Sequence, residues 1–340
     1  MSSFLPDTAN PATLLSRRFR PESIPDLSGR VAIVTGGSAG IGYYDALALA
    51  KANARVIIVS ANEEHGKHAE ADLNKALQEA NSAGTVEWHG VDFGKLAEVD
   101  VLARKLAQQE KRLDIIICNA GIGQAPHGLT NDGLERHFEV NNLAHHVFVL
   151  RLLPLMKKTA MIAPPATVRI VMQSSEMHRM APSTTKFLSK EEINKDGDGV
   201  MLYGRTKLGL IFFARELVKR KLADLPSNRP VLVISVHPGA VDTDVQKAWS
   251  ESYGVIGKVL EALTRAAGKS APEGAEASLW AATSADISEE NWKNFQGKYY
   301  SEPYGKPDQE SKLAKDDSIS ANFWNLCVKL TKELLGEDLQ

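Results

Sequence analysis

Arg30-Val31-Ala32-Ile33-Val34-Thr35-Gly36-Gly37-Ser38-Ala39-Gly40-Ile41-Gly42 is the stretch from which the fold can be read. Residues 30–35 form a short β run. Residues 43–53 carry Ala46, Leu47 and Ala50 on one helical face, and Asn53 is a plausible stop. The glycines between them join a strand to a helix. In that position they let the backbone turn tightly, approach a pyrophosphate and bring the helix close to the strand. The helix start adds unpaired N–H groups and a partial positive charge. Gly36, Ser38, Gly40, Ile41 and Gly42 are therefore candidate cofactor contacts. The bland alternative, a tight βα turn with no ligand, loses weight in this strand–turn–helix setting.

Outward from this unit the same alternation continues. Strand-like runs fall at 55–59, 85–91, 113–118, 168–172 and 231–236, with a last short one at 298–301. Helical spacing falls at 63–80, 96–106, 134–157 (ending near Pro154), 204–220 and 274–284. Strands that are apolar throughout belong in a sheet covered on both faces. Their alternation with helices indicates an α/β, Rossmann-type doubly wound parallel sheet. The expected organisation is an N-terminal arm over 1–28, one domain over 29–305, and a helical extension over 306–340. Residues 176–200 and about 240–270 look irregular. Segments of that length in a compact domain serve as binding loops or lids.

Composition narrows the class. The 340 residues are 43% apolar, with a formal net charge of -2, so no field favours nucleic acid or an anionic membrane. Two distant cysteines, Cys118 and Cys327, build neither a disulfide framework nor a zinc site. No run reads as a signal peptide or membrane span. The expectation is a cytoplasmic protein with no resident metal.

Tyr203-Gly204-Arg205-Thr206-Lys207 places a phenol and an ammonium four residues apart on one helix face. A free Tyr has a pKa of about 10, so acid/base work near neutral pH needs roughly 4 kcal/mol of help. A neighbouring cation in a low-dielectric cleft supplies part of that. Alone, the pair reads more readily as core Tyr and surface Lys. It is accompanied by Ser174-Ser175 after the fifth strand, Asn141 in the helix before it, Asn119-Ala120-Gly121 after the fourth strand, and His237-Pro238-Gly239 with Thr243 after the sixth. Strand ends of this kind face the ligand crevice.

In this order these pieces resemble the short-chain dehydrogenase/reductase family, over about residues 27–301. The texture is closest to the retinol-dehydrogenase-like and fungal reductase branch. The resemblance implies roles. Tyr203 is the acid/base at the substrate oxygen, and Ser175 holds that oxygen. Lys207 lowers the Tyr203 pKa and binds the nicotinamide ribose. Asn141 holds a water linked to Lys207, and Asn119 stabilises the sheet. Asp92 meets the adenine, while Gly121, Pro238, Gly239 and Thr243 border the cofactor. Two departures stand out: Ala144-His145 replaces the more usual Gly-His, and Met172-Gln173 precedes Ser174-Ser175.

The second strand ends Val59-Ser60-Ala61-Asn62 with no acid to chelate a ribose diol, which favours NADP over NAD. Ser60 and Asn62 are candidates to bond the 2′-phosphate, with His65 or Lys67 in reach. The branch usually has Arg where Ala61 stands.

Residues 194–199 imitate an EF-hand start, but Arg205 stands at the twelfth position. His145 and His146 are adjacent and diverge on a helix, so they cannot share a metal. His178 lines the pocket or sits exposed on a loop. No Gly-x-Ser-x-Gly elbow supports a hydrolase. Met177, His178, Met180, Phe187 and Leu188, with Val245, Trp249, Tyr253, Val255 and Ile256, suit a small hydrophobic substrate, though core or lid packing explains them equally. The rival readings are a cofactor-binding sensor without turnover, an epimerase or dehydratase of the extended type, and an interaction role for residues 1–28. The helix near 321–335 either covers the core or pairs subunits in a homodimer.

Overall fold

The computed structural model describes residues 18–239 and 269–339. Thr243, the proposed lid and its apolar residues Val245, Trp249, Tyr253, Val255 and Ile256 lie outside these. Within them the chain runs β1 (Val31–Thr35), α1 (Gly40–Lys51), β2 (Arg55–Ser60), α2 (Glu63–Glu79), β3 (Thr85–Gly90), α3 (Leu96–Gln109) and β4 (Ile115–Cys118). It continues through α4 (Arg136–Phe138), a π-helical turn (Glu139–Leu143), α5 (Ala144–Ile162), β5 (Val168–Gln173), a 3-10 turn (Glu176–Met180), α6 (Lys190–Asn194) and α7 (Gly199–Lys221). Last come β6 (Val231–Val236), α8 (Ala271–Thr283), β7 (Tyr299–Tyr300) and α9 (Asp317–Leu335).

The strands form one sheet in the order β3-β2-β1-β4-β5-β6-β7, with every pairing parallel. This is the doubly wound Rossmann-type sheet that the alternation of elements predicts. Winding reverses between β1 and β4, which opens a crevice at the carboxyl ends of the strands. Alternate residues of each strand feed two cores. One, with α1, α2 and α8, takes Val34, Ile58 and Val171, and the other, with α3, α5, α7 and α9, takes Ile33, Ile116 and Ile170. A strand buried on both faces has no polar side to show, which explains runs such as Ile115-Ile116-Ile117.

Several boundaries differ from the sequence expectation. α1 begins at Gly40 rather than Tyr43, because Ile41 and Gly42 at the end of the turn already belong to the first turn of the helix. The long helix does not end near Pro154. It runs on to Ile162 with Pro154 inside, and buried Leu152, Leu153, Leu155 and Met156 hold it against the core across the missing N–H. α7 starts at Gly199, capped by the Asp198 side chain on the Val200 N–H, so Tyr203 stands one turn inside the helix. Residues 176–200 are not wholly irregular, since they hold the 3-10 turn and α6. Of the two readings of Phe187, core packing is the one seen: it points inward against Phe138, Phe212 and Phe323.

α9 packs along α7 and buries Ile319, Phe323, Trp324, Leu326, Cys327 and Leu330. Of the two readings of this helix, covering the core is the one seen. At the other end, Phe19 and Leu27 are buried and Arg18 pairs with Glu273 and Glu276 of α8.

Candidate active site

The carboxyl ends of β1, β4, β5 and β6 lie side by side, and each carries one part of the expected site. After β1, Gly36 and Gly40 adopt φ of +68° and +55°, a left-handed geometry that side chains resist. The first turn of α1 has no side-chain cap, so its N–H groups face the crevice without an internal acceptor. Ser38 and Ile41 are half-buried along this turn, and Gly42 is buried beneath it. Asn119, after β4, donates its side-chain amide to the carbonyls of Thr35 and Gly36 at 3.2 and 3.4 Å. It thus ties two strand ends together.

Ser174 and Ser175 follow β5, and their hydroxyls do different things. The Ser174 hydroxyl is buried and donates to the Lys207 carbonyl at 2.7 Å, pinning α7 to the strand end. The Ser175 hydroxyl accepts the Met177 N–H at 3.1 Å and bonds the Tyr203 phenol. Tyr203 is half-buried. Burial pushes its phenol above the ordinary value, and the bond from Ser175 opposes that push. One turn on, the Lys207 ammonium sits 5.3 Å from the Tyr203 ring centroid and donates to the Gln173 carbonyl at 2.7 Å. Burial lowers this lysine to about 8. The structure therefore brings Ser175, Tyr203 and Lys207 together at one strand end.

Asn141 lies in the π-helical turn, fully buried. Its side-chain oxygen and amide are both engaged. The oxygen accepts the Ile122 N–H at 2.9 Å, and the amide donates to the Ile122 carbonyl and the Thr206 hydroxyl, both at 3.0 Å. Its backbone carbonyl accepts from Nδ1 of His145 at 3.1 Å, and Nε2 of that ring lies 2.9 Å from the Thr35 hydroxyl. A carbonyl only accepts, so the proton is on Nδ1 and the Thr35 hydroxyl donates to Nε2. Thr35 Oγ1 also accepts the N–H groups of Asn119 and Ala120. Burial holds His145 down at about 3, so the ring is neutral. The Thr206 hydroxyl donates in turn to the Tyr203 carbonyl at 2.8 Å. An unbroken line of hydrogen bonds thus runs from the glycine turn to the backbone of Tyr203.

The remaining candidates spread along the same edge. The Ser60 hydroxyl accepts the Trp88 indole N–H at 3.0 Å, and Asn62 caps α2 by accepting the His65 N–H at 2.8 Å. Lys67 is taken up by Glu63 at 2.5 Å, both exposed. Asp92 is exposed after β3 and accepts the Gly94 N–H. Gly121 lies against the Asn141 side chain, and Pro238 and Gly239 follow β6, with Gly239 beside the Lys269 side chain. Among the described residues no group of three His, Cys, Asp or Glu could hold a metal ion, and no helix is long and apolar enough to cross a membrane. Cys118 and Cys327 are both free and buried, and burial raises both thiols.

Sequence reasoning missed Thr35, Thr206 and Gln173 as parts of the framework. The first two stand inside the quoted motifs, and their hydroxyls were the available signal. Gln173 contributes its carbonyl, which no side-chain pattern reveals. His178 is neither exposed nor a simple pocket wall: it is buried, with both ring nitrogens bonded to backbone.

A sequence profile for short chain dehydrogenases matches residues 30–182. A Neurospora crassa protein described as mitochondrial oxidoreductase bli-4 is 35% identical over 93% of this chain and 74% of its own length. Short-chain dehydrogenase/reductase drtF of Aspergillus calidoustus is 30% identical over 89% of this chain and 94% of its own. Mouse retinol dehydrogenase 14 is 30% identical over 88% of this chain and 85% of its own. Among solved structures, a Mycobacterium paratuberculosis protein matches with a TM-score of 0.66 at 24% identity, over 93% of this chain and 98% of its own. An NAD(P) dependent gluconate 5-dehydrogenase from Beutenbergia cavernae with bound NADP matches with a TM-score of 0.57 at 21% identity, over 78% of this chain and 94% of its own. At those identities the structural matches speak for the fold alone, whereas the sequence relatives carry the family: this chain belongs to the short-chain dehydrogenases/reductases, NAD(P)-using oxidoreductases that act on CH–OH groups.

Proposed function

We propose that the protein interconverts a carbonyl and an alcohol on a small hydrophobic molecule, with NADP preferred and Tyr203 as the general acid/base. The observation that carries this reading is the meeting of the Tyr203 phenol, the Ser175 hydroxyl and the Lys207 ammonium at the end of β5. When bound, the nicotinamide supplies or receives the hydride. In reduction Tyr203 gives its proton to the substrate oxygen, and in oxidation it takes the hydroxyl proton. Ser175 bonds the same oxygen and orients it. Lys207 stabilises the tyrosinate and reaches the ribose hydroxyls. Asn141 acts from behind, fixing the residues after β4 and the start of α7. Gly36, Ser38, Gly40, Ile41 and Gly42 cradle the pyrophosphate, with Asn119, Gly121, Asp92, Pro238, Gly239 and Thr243 along the cofactor.

The NADP preference rests on the absence of an acid at the end of β2, and Ser60 and Asn62 are the groups placed to bond a 2′-phosphate. The hydrophobic substrate rests on the half-buried Met177 and Met180 beside Ser175. Buried free thiols suit a reducing compartment, and the cytoplasm is our assignment. The relative named as mitochondrial makes localisation the test of that point. Both catalytic groups of the pair are present, which disfavours a sensor without turnover.

The experiment is absorbance near 340 nm with NADPH or NADH and a panel of apolar ketones, aldehydes and diketones, beside Tyr203→Phe. Turnover that Tyr203→Phe abolishes supports the reading. Binding of neither cofactor would remove its basis, and faster turnover of small sugars than of apolar ketones would count against the substrate class.

A further inference from the structure

We propose that His178 is a positioning residue for the Ser175 hydroxyl, and that through it the C-terminal segment at Ser311 belongs to the active site. The proposal rests on the reading above, in which Ser175 orients the substrate oxygen. His178 is 1% exposed, and both its ring nitrogens are spoken for. Nδ1 lies 2.7 Å from the Ser175 carbonyl, and Nε2 accepts the Ser311 N–H at 3.0 Å. The carbonyl requires a proton on Nδ1 and the amide requires a lone pair on Nε2, so one neutral tautomer satisfies both. Tyr299 of β7 closes the pocket edge-on, its ring centroid 5.0 Å away.

The Ser175 peptide is therefore held from two directions. Its carbonyl accepts the His178 N–H at 3.0 Å as well as the ring, while its hydroxyl accepts the Met177 N–H. These contacts hold the Ser175 backbone and its Oγ beside the Tyr203 phenol. The 3-10 turn that carries His178 also lies directly on α7: a Cβ on Gly204 would stand 2.6 Å from the Met177 carbonyl. Only glycine next to Tyr203 allows that approach. From the far side Arg179 donates to the Gln309 carbonyl and bridges to Glu176, so the segment around Ser311 is fastened to the same turn twice. His178 itself is buried, and it reaches the site through the Ser175 carbonyl.

The test is a double-mutant cycle read by kcat, KM and cofactor Kd. His178→Phe keeps the ring against Tyr299 and loses both bonds. It should lower kcat roughly 10- to 100-fold, the scale of a misplacement near 1 Å, with cofactor Kd unchanged. His178→Asn retains a donor for the Ser175 carbonyl and should recover most of the loss. In a Ser175→Ala background, His178→Phe should cost nothing more. Ser311→Pro, which removes the half-buried N–H bonded to His178 and is controlled by Ser311→Ala for the loss of the hydroxyl, should show the same dependence on Ser175 at smaller size, and it covers the case of a poorly folding His178→Phe. Additive losses in the Ser175→Ala background, or a cofactor Kd that worsens in step with kcat, would overturn the proposal alone. Undiminished turnover in Ser175→Ala would overturn the reading of Ser175 as well.

Discussion

The two ends of the crevice are built on different plans. At the β1 end the candidate ligand contacts are backbone groups from one continuous stretch, residues 36–42, and α1 offers its first turn with no side chain in the way. At the β5 end they are side chains from separate stretches: Ser175, Tyr203 and Lys207, backed by Asn141, His145 and His178. Backbone amides persist through every substitution except proline, and at a turn of glycines it is the Cβ added by any replacement that does the harm. Side chains converging from several elements depend on each support behind them. The first end therefore fails through shape, and the second through chemistry.

Tyr203→Phe should break this contrast most sharply if it is wrong. Turnover should fall about 10²–10⁴-fold while cofactor Kd, read by fluorescence, stays as it was. A matching loss of binding would mean that the two ends are one unit. Lys207→Met should also suppress turnover, yet it should stabilise the fold by on the order of 1–3 kcal/mol at pH 7. The sign follows from burial, which lowers this amine from 10.5 to about 8. The native state sheds the proton near 8 and the unfolded chain near 10.4, so wild-type stability rises with pH across that window. Below it the buried charge is a standing cost that methionine lacks. Urea midpoints at pH 7 and 10 measure this, and a less stable variant at pH 7 would show the ammonium to be well supported.

Glu139→Gln addresses the π-helical turn under Asn141. Burial, with Asp132 and Asp92 adding to it, pushes this carboxyl up to about 8. An acid raised in the folded state favours folding below its unfolded pKa and loses that advantage as pH rises toward 8. Wild type and Glu139→Gln should therefore melt together near pH 4 and separate in favour of the variant by pH 9. Ala61→Arg carries the smallest expectation. A guanidinium at the end of β2 should tighten NADPH about tenfold and leave NADH alone. Equal tightening of both would place the ribose elsewhere.

The contrast also explains what the sequence allowed one to read. The glycine turn was legible because a single stretch contains it and its strand and helix adjoin it. Ser175, Tyr203 and Lys207 were legible as motifs at element ends, and the sheet was legible because doubly buried strands are uniformly apolar. The supports were not. His145 and Thr35 are 110 positions apart and His178 and Ser311 are 133 apart, and neither pair forms a pattern until the sheet is assembled. Phe187 reads equally as pocket wall or core, because composition cannot say which way a loop aromatic points; it turns inward onto Phe323 of α9. Pro154 was read as a stop from local stereochemistry, which tertiary packing overrode.

The bond from His178 to Ser311 has a consequence for how the protein is made. During synthesis the turn carrying Ser175 is complete long before its fastening exists. At 5–20 residues per second the ribosome needs roughly 7–27 s to travel those 133 positions. Through that interval the nascent chain can hold a finished glycine turn and a sheet growing outward from β1, while the ring that holds the serine still lacks its own partner. Competence to bind cofactor and competence to turn over substrate would then arise at different moments in the life of a single chain.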